Sequence, residues 1–277
     1  MRREQVTIGH KRLSYSISET PLLSGGRQAP FRTILFLHAF PLNATMWDGQ
    51  LGAPPEGWRM VAPDYRGFGD QETAGAIDGV RMADLAGDAI DLLDSLDVAH
   101  AVVAGCSMGG YVAFEMLENA PGYVSALVLI DTRAKADSAE GKAARARMLE
   151  SVRQHGSAAV AEEMTPKLLG ETTKRKKPEL AGWVHDVIAQ ADPTAISMAV
   201  TAMKDRKDMT QLLPRIKVPT LVLAGAEDTL IPATDVAELH TGIKHSTLET
   251  IPAAGHLPNL EQPAAFDAAL RRFLERL

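Results

Sequence analysis

Val102-Val103-Ala104-Gly105-Cys106-Ser107-Met108-Gly109-Gly110 is the stretch that decides how the rest of the chain is interpreted. An apolar run ends at a serine that has a glycine two positions away on each side, and a helical pattern follows. The spacing Gly-x-Ser-x-Gly is typical of a nucleophile elbow, in which a sharp turn from strand to helix presents a serine hydroxyl. A side chain at either glycine would collide with neighbouring backbone. Because so short a pattern also arises by chance, its context decides its meaning.

The composition describes an ordinary globular protein that is mildly acidic. The chain has 277 residues, of which 45% are hydrophobic and 23% charged, with a formal net charge of -6. A chain of this length buries enough surface to fold without a disulfide or a metal. The acidic balance argues against nucleic acid as a partner, and no apolar stretch is long enough to cross a membrane. The single cysteine, Cys106, and a polar amino terminus without an apolar leader predict a cytoplasmic protein.

Apolar runs alternate with helical patterns along most of the chain. Short strands around Gly9 and His10 predict a hairpin near the amino terminus. Continuous apolar runs then predict strands that are buried on both faces, as in a parallel sheet; they cover residues 33–37, 59–62, 101–105, 126–130 and 221–225. A helical pattern of apolar residues covers 82–96. The sequence therefore predicts an α/β fold with a mostly parallel sheet and helices on both faces.

The character of the chain changes between residues 133 and 215. Strand-like runs disappear, and helical patterns follow one another at 139–154, 157–169, 179–191 and 193–203. We expect one core domain from residues 1–132 and 216–277, and a helical cap from residues 133–215. The lysines and arginines of this insertion either meet an anionic substrate or are solvated, and solvation is the simpler interpretation. The larger apolar side chains are candidates for pocket lining or for core packing: Trp47, Trp183, Met198 and Met203.

Three residues at predicted strand ends have the chemistry of a catalytic triad. A serine hydroxyl such as that of Ser107 needs a base within hydrogen-bonding reach, and the base needs an orienting acid. His256 follows the last predicted strand and is the expected base. Asp228 follows the strand before it and is the expected acid. Glu227, beside it, and Asp131, at the end of the strand after the elbow, are the alternative acids.

Two backbone N–H groups are expected to bind the oxyanion that forms when the serine attacks a carbonyl. One belongs to Met108, directly after the serine, and the other to Phe40, in the loop after the strand at 33–37. His38 is expected to brace that loop. The sequence has no Cys/His cluster, no carboxylate constellation and no phosphate-binding or dinucleotide motif, so neither a metal nor a cofactor is expected.

These motifs resemble those of the α/β-hydrolase superfamily, in family order and over nearly the whole chain. The similar segments are His38-Ala39-Phe40-Pro41-Leu42, Asp64-Tyr65-Arg66-Gly67-Phe68-Gly69, Gly105-Cys106-Ser107-Met108-Gly109-Gly110, the loop 225–232 and Gly255-His256-Leu257-Pro258. The chain most resembles the small cofactor-free branch that contains 3-oxoadipate enol-lactonases, esterases and haloperoxidase-like hydrolases. The resemblance implies an eight-stranded sheet with a helical cap over the active site. Ala39 stands where the family usually has glycine, and it leaves the Phe40 N–H available.

The sequence thus predicts a serine hydrolase that cleaves a carboxylic ester or lactone of a small molecule through an acyl-enzyme on Ser107. One alternative is hydrolysis of a carbon–carbon bond in a vinylogous diketone, which related capped hydrolases perform with the same triad. Another is a non-catalytic small-molecule receptor that has kept the fold. Haloalkane dehalogenases and epoxide hydrolases are disfavoured, because those relatives place an aspartate where Ser107 stands.

Overall fold

A computed structural model describes residues 1–9, 11–21, 23–24, 27–28, 31–70 and 79–277. Its strands, in chain order, are β1 (Arg2–Ile8), β2 (Lys11–Thr20), β3 (Leu23–Ser24), β4 (Arg27–Gln28), β5 (Arg32–Leu37), β6 (Trp58–Pro63), β7 (Ala101–Cys106), β8 (Val124–Ile130), β9 (Thr220–Gly225) and β10 (Ser246–Ile251). Eight of them form one sheet in the order β1-β2-β6-β5-β7-β8-β9-β10, and β3 pairs with β4 apart from it.

The sheet is parallel except at one edge. β1 pairs antiparallel with β2, and β2 pairs antiparallel with β6. All neighbouring strands in the rest of the sheet, β6-β5-β7-β8-β9-β10, pair in parallel. The pairing of β1 with β2 confirms the predicted hairpin, although His10 of its turn lies outside the described residues. β7 is buried at every position, which explains why its sequence is a continuous apolar run.

The helices cover both faces of the sheet, as predicted for this fold class. They are α1 (Asp48–Leu51), α2 (Met82–Ser95), α3 (Met108–Asn119), α4 (Ala139–Leu168), α5 (Glu171–Lys176), α6 (Pro178–Ala189), α7 (Pro193–Lys204), α8 (Ala233–Gly242), α9 (Pro258–Glu261) and α10 (Pro263–Leu274). Short 3₁₀ helices cover Ala44–Trp47, Pro121–Tyr123 and Thr210–Arg215. Within the described ranges, no helix has the length and apolar character that a membrane crossing needs.

The segment between β8 and β9 is helical, and it contains α4 to α7. The two helices predicted at 139–154 and 157–169 are the two halves of α4, whose backbone leaves helical geometry at Gly156 with φ 70° and ψ -165°. Glycine adopts this left-handed φ without a steric penalty, so the chain bends there and resumes the helix. α4 packs against both α6 and α7.

Candidate active site

Ser107 lies at the turn between β7 and α3, with a φ of 53°. The turn is tight because two glycines allow close backbone approach. A Cβ on Gly105 would lie 2.3 Å from the carbonyl oxygen of Gly109, and one on Gly109 would lie 2.2 Å from that of Leu37. The Ser107 N–H donates to the carbonyl of Ile130 at 2.9 Å, which fixes the turn to the neighbouring strand. A non-glycine residue at positive φ is strained, and such strain is common at functional sites.

His256 and Asp228 form a buried pair at the ends of β10 and β9. The imidazole Nδ1 lies 2.8 Å from Asp228 Oδ2, and the two side chains are 2% and 3% exposed. Asp228 Oδ1 accepts a hydrogen bond from the Leu230 N–H at 2.7 Å. Burial by itself would raise the pKa of Asp228, but the charge of His256 and its hydrogen bond outweigh burial and lower that pKa. The carboxylate is therefore ionised and able to orient the ring.

Asp131, one of the alternative acids, lies behind this pair at the end of β8. Its Oδ1 accepts from the Gly225 N–H at 2.9 Å, while its buried Oδ2 has no hydrogen-bond donor among the described residues. The side chain lies within hydrogen-bonding reach of Asp228. Complete burial, and then the charge of Asp228, raise the pKa of Asp131 well above its ordinary value. Two buried carboxyl groups so close together do not both ionise, so we expect the proton to reside on Asp131.

Glu227, the other alternative acid, points away from the histidine. Its carboxylate accepts from the Thr172 N–H at 2.7 Å and from the Thr172 hydroxyl at 2.5 Å. Both hydrogen bonds lower the pKa of Glu227. The structure thus brings Asp228 to His256 and directs Glu227 to the helical segment between β8 and β9.

The loop that carries Phe40 is held by His38, as the sequence suggests. His38 Nδ1 lies 3.0 Å from the carbonyl oxygen of Ala39, and its Nε2 lies 3.1 Å from the Tyr65 nitrogen. Burial lowers the pKa of His38 to about 3, so the ring is neutral. The neutral ring donates through Nδ1 to the Ala39 carbonyl and accepts the Tyr65 N–H at Nε2. This arrangement fixes the backbone immediately before Phe40.

Ser107, His256 and Phe40 line one cavity of about 200 Å³. Most of its apolar wall comes from Leu230 and Ile231 and from methionines of α4 and α7, namely Met148, Met164 and Met203. Met203 is therefore a lining residue, while Met198 is buried elsewhere in the core. Trp47 packs in the core against Phe36, and Trp183 borders a different cleft. The cavity has room for a small organic molecule beside the serine.

Arg133 and Arg145, for which the sequence favoured solvation, also line this cavity. Asp137, whose side chain is 1% exposed, accepts from Arg133 Nη2 at 2.9 Å and from Arg145 Nε at 3.2 Å. It also accepts from Arg206 Nη2 at 2.9 Å. Asp137 therefore faces three guanidinium groups, and Arg133 also pairs with Asp235 at 3.5 Å, so the guanidinium groups still outnumber the carboxylates that they contact. Arg133 lies only three residues after the end of β8. Because reactive and binding groups lie at strand ends in this fold class, that position could have indicated a role at the site.

The remaining charged side chains of the cavity wall neutralise each other. Glu163 and Lys167 lie one turn apart on α4 and pair at 2.7 Å. Among the residues that the structure describes, no group of three or more His, Cys, Asp or Glu side chains is arranged to hold a metal ion.

The chain belongs to the α/β-hydrolase family. The family model described as alpha/beta hydrolase fold matches residues 32–263. 3-Oxoadipate enol-lactonase 2 of Acinetobacter baylyi is 29% identical over 249 residues, which cover 90% of this chain and 91% of that protein. These findings confirm the resemblance to the superfamily and to its enol-lactonase and esterase branch.

Solved structures agree with this assignment. A thermophilic esterase from Thermogutta terrifontis, solved with malate bound, is 34% identical and superposes with a TM-score of 0.88, covering 100% of this chain and 99% of that one. The enol-lactonase from Burkholderia xenovorans LB400 shares the fold, with 24% identity and a TM-score of 0.86 over 98% of this chain and 100% of its own. Because these relatives are hydrolases, the comparisons support a hydrolase at the level of the family.

Proposed function

We propose that the protein is a serine hydrolase that cleaves a carboxylic ester or a lactone of a small molecule. The observation that carries this proposal is the shared cavity of Ser107 and His256, with Asp228 2.8 Å behind the imidazole. A strained serine after β7, an ionised carboxylate after β9 and a buried histidine after β10 match the chemistry that acyl transfer requires. The names of the relatives, an enol-lactonase and an esterase, favour ester and lactone substrates.

The reaction proceeds through an acyl-enzyme on Ser107. His256 Nε2 takes the hydroxyl proton as Ser107 Oγ attacks the carbonyl carbon, and the carbonyl oxygen becomes an oxyanion. The N–H groups of Met108 and Phe40 bind this oxyanion. The C–O bond to the leaving group then breaks, and the alkoxide takes the proton from His256. A water molecule, deprotonated by the same histidine, attacks the acyl-enzyme and releases the acid, while Ser107 recovers its proton.

Asp228 acts on the reaction through His256. Its carboxylate accepts the Nδ1–H, so that the second nitrogen, Nε2, is free to accept the serine proton. The same carboxylate stabilises the imidazolium that forms in each half-reaction. The pKa of Asp228 is held below its ordinary value, which keeps the negative charge available throughout.

We also propose that residues 133–215 form a cap on a core domain made of residues 1–132 and 216–277. The support is that α4 and α7 supply Met148, Met164 and Met203 to the cavity beside Ser107. A substrate bound there is enclosed between the two parts, and the cap side chains select its shape.

The cavity favours a substrate that carries a carboxylate in addition to its ester or lactone group. Arg133 and Arg145 face an otherwise mostly apolar space, and they share Asp137 with a third guanidinium. Arginine binds carboxylates through paired N–H groups. The malate in the Thermogutta terrifontis structure is a dicarboxylate, and it agrees with such a preference.

Hydrolysis of matched substrates by wild type and by Ser107→Ala tests the proposal. The substrates are 4-nitrophenyl esters of short and long acids and an enol-lactone. Wild type is expected to hydrolyse at least one of these with multiple turnovers, and Ser107→Ala to lose several powers of ten in kcat. Near-wild-type turnover by Ser107→Ala, with the same folded state by circular dichroism, would refute the mechanism.

A further inference from the structure

Glu261 is a fully buried carboxylate whose hydrogen-bond donors come from two distant parts of the chain. Its Oε1 accepts from the N–H groups of Gly255 and Leu257, at 2.8 and 3.1 Å. These two residues flank His256. Its Oε2 accepts from the N–H of Gly170 at 2.8 Å, just beyond the end of α4. The side chain is 0% exposed, so the three N–H groups replace the water that a carboxylate otherwise requires.

The histidine loop also touches the end of α4 directly. The His256 N–H donates to the carbonyl of Leu168 at 3.1 Å. The backbones of Gly170 and Gly255 meet so closely that a Cβ on Gly255 would lie 2.3 Å from the Gly170 nitrogen. Glycine at both positions is therefore a steric requirement of this contact. The backbone of His256 is held by the segment between β8 and β9 as well as by the core.

A second carboxylate ties the same segment to the loop of the acid. Glu227 precedes Asp228 and binds the N–H and hydroxyl of Thr172. Lys177, farther along the segment, donates to the backbone carbonyl of Glu261 at 2.6 Å. Both loops of the Asp228–His256 pair are thus fixed to residues 168–177 by hydrogen bonds to buried or partly buried groups.

We propose that Glu261 is a positioning residue, which fixes the backbone on both sides of His256 to the end of α4. The inference rests on the function proposed above, in which His256 is the base. It gives the cap a second role: its segment 168–172 sets the position of the base, in addition to enclosing the substrate. When segment 168–172 packs against the histidine loop, it therefore also fixes the position of the His256 imidazole.

Two substitutions of Glu261 separate the two sets of contacts. Glu261→Ala removes all three acceptor bonds. Glu261→Gln keeps one oxygen for Gly255 and Leu257, and places an amide NH₂ opposite the Gly170 N–H, so only the hydrogen bond to Gly170 is lost. Because a displacement of about 1 Å at a catalytic group costs roughly 10²-fold in rate, we expect kcat to fall by about 10²-fold in Glu261→Ala and by about tenfold in Glu261→Gln.

Glu115→Ala is the matched control. Glu115 is a buried glutamate on α3 that accepts from the Asn119 side chain at 3.0 Å, within its own helix and away from the triad loops. The measurements are kcat and KM for one short neutral ester, the rate of Ser107 labelling by a fluorophosphonate, and the thermal midpoint. We expect both Glu261 variants to lose kcat and labelling rate with KM within about threefold of wild type, and Glu115→Ala to keep kcat.

The outcomes distinguish this inference from the proposed function. Wild type that neither hydrolyses esters nor reacts with the fluorophosphonate would refute the proposed function. Active wild type with unchanged kcat in Glu261→Gln and Glu261→Ala, or with a rise in KM alone, would overturn the role of Glu261. If Glu261→Ala does not fold, Glu261→Gln decides: a fall in kcat no larger than that of Glu115→Ala at a similar thermal midpoint would overturn the proposal.

Discussion

Asp131 and Asp228 are two carboxyl groups in contact at the ends of β8 and β9, and Asp228 is the one that bonds to His256. The proton belongs to Asp131, because its complete burial raises its pKa while His256 and its hydrogen bond lower that of Asp228. A proton on Asp131 means that no second negative charge lies beside Asp228. Protonated Asp131 can therefore lie beside Asp228 without taking its place as the partner of His256.

Asp131→Asn is expected to keep activity within a few-fold of wild type. Asparagine is uncharged, as protonated Asp131 is, and it tolerates the positive φ of 41° at this position. Asp228→Asn is expected to lose about 10⁴-fold in kcat, because the wrong imidazole tautomer then faces Ser107. The measurement is kcat of both variants and of wild type with the same ester. A loss in Asp131→Asn as large as in Asp228→Asn would assign the role of triad acid to Asp131.

The protonated state of Asp131 also predicts how stability depends on pH. A carboxyl group whose pKa is raised in the folded state binds more protons folded than unfolded, so its contribution to the free energy of unfolding falls as pH rises above the unfolded value of about 3.9. Asparagine does not titrate. Urea unfolding at several pH values between 4 and 8 should therefore show Asp131→Asn gaining stability relative to wild type as pH rises. A pH-independent difference would mean that Asp131 is ionised in the folded protein.

Arg145→Gln is expected to reduce the preference for an acid-bearing substrate. The test compares two 4-nitrophenyl esters of equal chain length, one derived from a dicarboxylic acid and one from a monocarboxylic acid. A hydrogen bond to a charged group contributes roughly 1.5–3 kcal/mol, so the ratio of their kcat/KM values should fall by at least about tenfold. Arg147→Gln is the control, because Arg147 lies exposed on the same helix. Equal ratios in wild type and both variants would show that the cavity does not recognise a carboxylate.

Gly109→Ala is expected to disrupt the elbow. A Cβ there would lie 2.2 Å from the Leu37 carbonyl oxygen, which belongs to the buried strand β5 and has no room to retreat. We expect a loss of several kcal/mol in the free energy of unfolding, as for other overpacked buried sites. Gly122→Ala is a suitable control, since a Cβ there meets no atom within 4 Å. Equal denaturation midpoints for Gly109→Ala and Gly122→Ala would show that a side chain at Gly109 does not clash with the Leu37 carbonyl.

The positions of Ser107, Asp228 and His256 at strand ends could be predicted because each follows a local pattern: an apolar run, a turn and a polar side chain. The bend of α4 at Gly156 falls between the two helical patterns predicted at 139–154 and 157–169, but the patterns did not show that the two parts form one bent helix. For the arginines of residues 133–215 the sequence allowed either contact with an anionic substrate or solvation and favoured solvation, whereas the contacts of Glu261 were not predicted at all. Gly170 and Glu261 are 91 residues apart in the chain, and only tertiary packing brings the carboxylate to that N–H. Such contacts leave no periodicity in the sequence.

Mass spectrometry after reaction with a fluorophosphonate identifies the nucleophile. We expect one adduct per chain, located by peptide mapping at Ser107, with formation slowed by several powers of ten in His256→Ala and absent in Ser107→Ala. A wild-type protein that hydrolyses esters but carries no adduct, or carries it on another residue, would contradict the assignment of Ser107 as the nucleophile.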